Sequence, residues 1–272
     1  MKYLFLLSIA VIVSNISFAQ HSLKKVWQTD TTLKAPESAL YDPKAKIIYV
    51  SNIGDFDKEG VAFISKVGLD GKVVERNWVT GLTATKGLGK YGNLLYVAET
   101  NTVAVIDIST GKIIKRIPVD GAQMLNDITI DSKGIVYVSD TKTNKVHRIE
   151  DGKVSVYLEN MPSANGLLAV GQDLYILTDS VLQKADANKN LTTLVRGIEG
   201  GADGIEMIAP NQFIITGWGG VIYFAKADGT IQVLSDTRAQ KINTADLGYN
   251  PSAKIIYVPA MLNNMMVAYK VE

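Results

Sequence analysis

The sequence predicts an all-β fold, a six-bladed β-propeller with four-stranded blades, and three observations predict it. A short apolar strand with a central aromatic residue recurs six times, at Tyr49, Tyr96, Tyr137, Tyr175, Phe213 and Tyr257. The interval is about 40 residues, the length of one four-stranded blade. Each aromatic strand is followed by a strand pair around a tight turn, at Asp70-Gly71, Thr110-Gly111, Asp151-Gly152, Asn188-Lys189 and Asp228-Gly229. Most are Asp-Gly, the dipeptide that supplies the positive φ of a two-residue hairpin. No segment sustains a 3.6-residue apolar period, so long helices are not expected.

In chain order, the first element is a targeting segment. Lys2 gives a positive start, residues 4–13 are apolar except for Ser8, and Ser17-Phe18-Ala19 has the small-x-small form of a cleavage site. Residues 1–19 therefore read as a signal peptide and residues 20–272 as the propeller domain, exported to a periplasm or secreted. No later run of about 18 apolar residues follows, so no membrane span is expected. The sixth repeat ends near Met266-Val-Ala-Tyr-Lys-Val, one strand short. Lys25-Val-Trp-Gln-Thr can supply that strand, closing the ring and leaving no open blade edge.

Composition removes several function classes. The chain of 272 residues has 28 Lys and Arg against 27 Asp and Glu, a net charge of +1. No basic stripe stands out to neutralise phosphates, so nucleic acid is not an expected partner. With no Cys there is no disulfide, thiolate metal site or Cys nucleophile. The two His residues are His21, near the terminus, and His147, in an outer strand. They are too few for a three-histidine zinc site. Gly-x-Ser-x-Gly is absent. Gly87-Leu-Gly-Lys-Tyr-Gly92 matches a dinucleotide fingerprint by letters, but it precedes a strand instead of joining a strand to a helix. Nucleotide binding is not expected. A monomer is.

In a propeller the inner strand of each blade begins at one mouth of the central channel. Stepping back 10 to 12 residues from each aromatic finds Glu37, Lys86, Asn126, Asn165, Asp203 and Ala245 at equivalent positions. This register points the six at one another around the axis. Glu37, Asn126, Asn165 and Asp203 are hard oxygen donors whose charge balances a divalent cation. Calcium accepts six to eight oxygens, which leaves positions for water or substrate, and magnesium or manganese is also compatible. Any one of these residues alone reads more simply as a turn residue satisfying local backbone groups. Four at equivalent positions favour the ion.

Pro36-Glu37, Asn126-Asp127, Asn165-Gly166 and Asp203-Gly204 resemble, in that order on a six-fold repeat, the pattern of the senescence-marker-protein, gluconolactonase and luciferin-regenerating-enzyme (SMP-30-like) family. The resemblance spans essentially the whole mature chain. It implies a six-bladed propeller and a metal-dependent lactonase. It also implies Glu37, Asn165 and Asp203 as metal ligands, with Asn126 completing the site directly or through water and substrate. Calcium is the expected ion, with magnesium, manganese or zinc as alternatives.

Two positions depart from that pattern. Met124 stands where sugar-lactone members carry Arg, so a thioether replaces a fork that binds sugar oxygens, and a less polar ester or lactone becomes the expected substrate. Lys86 is a basic residue at the axis, able to orient an anionic substrate, to point into solvent, or to pair with Glu37 or Asp203 against the metal.

The implied reaction is metal-assisted hydrolysis with Asp203 as the base that assists water. Asp127 is expected behind Asn126, holding its loop or bonding local backbone N–H groups, and is counted with Lys86, Met124 and Trp218 as substrate-side residues. The pocket walls are expected from the loops after the aromatic strands, with Phe56, Trp218 and Met261 as apolar candidates. The competing expectation is a non-catalytic propeller that binds a ligand or protein at the same mouth and uses a metal structurally.

Overall fold

The computed structural model describes residues 21–272 apart from 56, 57 and 59. Residues 1–19, where a signal peptide is expected, and Phe56 lie outside the described residues. Six antiparallel sheets of four strands each, taken in chain order, make six blades, as the repeats predict. Among the described residues the only helical pieces are two 3-10 turns, Arg238–Gln240 and Met261–Asn263. Among the described residues no helix is long and apolar enough to cross a membrane.

Neighbouring blades stack face to face, so a middle strand is covered on both sides. Both faces must then be apolar, and the strand reads as a continuous run instead of an alternation. Ile47–Asn52 shows this, with five of its six residues buried. The outermost strands have one face in water and are largely exposed, as in Lys112–Pro118. The core is accordingly divided among the blade interfaces. Tyr49, Ile64 and Leu82 of the first blade pack with Leu88, Leu95 and Ile106 of the second. Tyr175 of the fourth meets Phe213 of the fifth at 5.1 Å between ring centroids.

Of the five turns only Asp151-Gly152 is a two-residue hairpin; the other four loops are longer and take positive φ at Gly71, Gly111, Lys189 and Gly229. Asp151 and Gly152 both have positive φ, 53° and 76°, the conformation of a type I′ hairpin whose twist matches its strands. The ring closes through the N-terminal strand. Leu23–Gln28 pairs with Met265–Val271 as the outer strand of the sixth blade. Trp27 then lies 5.7 Å from Tyr257, stacked, and locks the junction.

The axial register depends on small residues. A Cβ on Gly166 would stand 2.2 Å from the Asp203 carbonyl oxygen, and one on Gly87 would stand 2.5 Å from the Asp127 Cα. Any side chain there would push apart inner strands that touch at the axis. The nucleotide-like run from Gly87 to Gly92 is thus blade packing: a Cβ on Gly89 would also meet Ile128 at 2.6 Å.

Candidate functional site

Five of the six axial residues begin the inner strands and line one cavity of about 310 Å³ at the channel mouth. They are Glu37, Lys86, Asn126, Asn165 and Asp203, and Met124 and Trp218 complete its apolar walls. The sixth, Ala245, is fully buried and packs with Ala35, Ile53 and Met261. This apolar cluster lies beside the mouth. Met261, expected in the wall, instead fills that cluster and is 6% exposed. Trp218 is partly exposed and keeps its place in the wall.

The polar groups of the mouth are interlocked. Lys86 Nζ donates to Glu37 Oε1 at 3.2 Å. Asn165 Nδ2 donates to Asp203 Oδ1 at 2.8 Å. Asn126 Nδ2 donates to Thr141 Oγ1 at 3.0 Å, and that hydroxyl donates to the Ala164 carbonyl at 2.7 Å. Thr141 therefore fixes which way the Asn126 amide faces. Sequence reasoning placed it only in a wall loop, because nothing in the letters marks which loop hydroxyl meets the axis.

One oxygen of each carboxylate is left over. Glu37 Oε2 and Asp203 Oδ2 are buried and have no hydrogen-bond partner among the protein atoms. A buried carboxylate oxygen without a donor costs free energy that a cation or a proton would recover. The electrostatics agree. Burial and then the nearby Glu37 hold Asp203 well above the ordinary carboxylate range. Burial also raises Glu37, although the Lys86 ammonium opposes the rise. For Lys86 burial acts against the charge, yet Glu37 and Asp203 outweigh it and raise its pKa, so it stays an ammonium. One ammonium thus stands against two carboxylates, and the mouth is short of positive charge.

No three acidic or imidazole side chains converge as a metal cluster among the described residues. The mouth instead offers two carboxylates and two amides. That set, with two donor-free carboxylate oxygens, fits a hard divalent cation. His147 is buried away from the mouth against Asp140, 3.8 Å away.

Asp127 is placed differently from the substrate-side position expected of it. It does not line the mouth cavity. It lines a second axial cavity of about 190 Å³ formed by later residues of the same inner strands, together with Glu206 and Asp246. Its two carboxylate oxygens accept the Ile128 N–H at 2.6 Å and the Leu167 N–H at 2.7 Å. It therefore ties the third blade to the fourth and holds the strand that carries Asn126. Asp246 accepts the Ser38 hydroxyl, while its own N–H donates to the Glu37 carbonyl at 3.0 Å. The parallel between Ala245-Asp246 and Asn126-Asp127 was the signal available for this residue.

No family model matches the sequence. No curated protein sequence matches it. Solved structures do match in fold. A catalytically inactive virginiamycin B lyase from Staphylococcus aureus with quinupristin superposes with a TM-score of 0.70 at 13% identity, covering 92% of this chain and 99% of that one. A gluconolactonase from Xanthomonas campestris gives a TM-score of 0.71 at 12% identity, over 87% of this chain and 86% of that one. A chain of a nidogen/laminin complex gives 0.66 at 14% identity, over 79% and 85%. The chain is thus similar in fold to gluconolactonase and lyase structures, and to a chain from a protein–protein assembly.

Proposed function

We propose that the chain is an exported, metal-dependent hydrolase of a lactone or related ester, with calcium as the expected ion. The observation that carries this reading is the pair of buried, donor-free oxygens, Glu37 Oε2 and Asp203 Oδ2, on residues that line one cavity together with Asn126 and Asn165. Those four residues would hold the ion. When bound, a divalent cation supplies polarisation of the substrate carbonyl and stabilisation of the developing oxyanion.

The remaining steps belong to the side chains. Asp203 takes a proton from the attacking water with whichever carboxylate oxygen does not hold the ion. Thr141 takes the Asn126 amide N–H, which leaves the amide carbonyl oxygen as the group that would contribute to the ion. Trp218 and Met124 supply an apolar wall for the acyl or alcohol portion.

The test is hydrolysis of a panel of aliphatic lactones and esters with calcium and with a chelator. Calcium-dependent consumption of at least one substrate, abolished in Asp203→Asn, is expected. If no substrate is consumed while chelator lowers the melting temperature, the alternative of a binding propeller with a structural metal replaces this reading.

A further inference from the structure

The role of Lys86 follows from charge and geometry together. Its backbone is fixed: the Lys86 N–H donates to the Ala98 carbonyl and the Gly87 N–H to the Asn126 carbonyl, each at 2.9 Å. Gly87 packs directly on the next inner strand, where a Cβ would stand 2.5 Å from the Asp127 Cα. The side chain thus projects from a rigid root into the mouth. An ammonium has three donors. One is spent on Glu37, and the side chain keeps 20% of its surface exposed at the cavity.

The surrounding charges are few. Glu37 and Asp203 line the same cavity. Beneath, Asp127 gives its two oxygens to backbone N–H groups and Asp246 accepts the Ser38 hydroxyl. Asp179 lines the rim and is exposed to solvent. Two carboxylates balance a divalent ion, so Lys86 is a surplus positive charge beside it. A neutral substrate that displaced water from the mouth would leave its spare N–H donors desolvated and unmatched, which is costly for a cation. A carboxylate on the substrate would pair with them. The apolar wall of Trp218 and Met124 sets no such requirement.

We propose that Lys86 is a specificity-determining residue that selects lactones or esters bearing a carboxylate. The assignment deepens the hydrolase reading and rests on it. The Met124 side of the cavity takes the apolar part of such a substrate, and the ammonium takes its anionic end.

The experiment uses the full mature chain with calcium and a matched substrate pair, a neutral lactone and the same lactone with a carboxylate substituent. The wild type is expected to favour the carboxylate form by about thirtyfold in kcat/KM, the range of a hydrogen bond to a charged group. Lys86→Met is expected to lose that preference through the KM of the carboxylate substrate, and Lys86→Arg to recover part of it. An unchanged preference in Lys86→Met overturns the assignment. A binding measurement separates its failure from failure of the hydrolase reading. Titration calorimetry with a non-hydrolysable cyclic ketone bearing the same carboxylate is expected to show binding to wild type and at least tenfold weaker binding to Lys86→Met. If wild type consumes neither lactone yet this difference appears, the hydrolase reading falls and the anion site stands. Equal binding by both proteins overturns the anion site whatever the turnover.

Discussion

The channel holds two acidic cavities in succession, and they are finished in opposite ways. At the mouth, Glu37 and Asp203 each keep one buried oxygen without a donor. In the lower cavity, Asp127 accepts two backbone N–H groups and Asp246 accepts Ser38. Burial lifts Asp203, Asp127 and Asp246 alike well above the usual carboxylate range. Raised proton affinity therefore does not distinguish the two. Saturation does: carboxylates with their donors already in place hold blades together, and carboxylates short of donors are available to a ligand.

The largest effect should come from exchanging one residue of each kind. Asp203→Asn is expected to lower turnover about a thousandfold, while metal-free stability stays level or rises, because the change removes repulsion with Glu37. Steady-state kinetics and a thermal melt check both halves. Asp127→Asn should do the reverse. It sets an amide donor against a backbone N–H and should cost about 2–3 kcal/mol, a fall of about 6 °C in melting temperature, with kcat of the folded protein within threefold of wild type. If Asp127→Asn melts like wild type, the saturated cavity is not structural and the contrast collapses.

Smaller effects sharpen the same contrast. Trp218→Ala should raise KM about tenfold and leave kcat nearly unchanged, since the ring contributes binding and no proton chemistry. Glu206, in the lower cavity, is pushed up to about 8 by burial and then by Asp246. Its folded value lies above its unfolded value, so its contribution is complete at acidic pH and is lost as pH rises through about 8. Melting temperature should fall by about 3 °C between pH 5 and pH 8.5 on this account, and Glu206→Gln should flatten the slope.

Much of this was legible in the letters because propeller repeats write their geometry into sequence. The six aromatics, the Asp-Gly turns and the missing final strand gave the blades and their closure. Counting back from Tyr49, Tyr96, Tyr137, Tyr175 and Phe213 reached the five residues that meet at the mouth. What stayed hidden depends on side-chain direction. Whether Asp127 faced the cavity or the backbone was decided by the Leu167 N–H of the next blade, 40 positions away. Met261 turned into the cluster around Ala245, a choice set by the apolar space beside Ala35 and Ile53. The pairing of Lys86 with Glu37 was one of three readings the sequence left open.

The most direct test is calcium titration of the purified, chelator-treated mature chain by calorimetry, alongside a Glu37→Gln/Asp203→Asn double variant and Asp127→Asn. One ion per chain should bind wild type and Asp127→Asn, and none should bind the double variant. Absence of binding at millimolar calcium, or an ion retained by the double variant and lost from Asp127→Asn, would contradict the assignment of the mouth as the cation site.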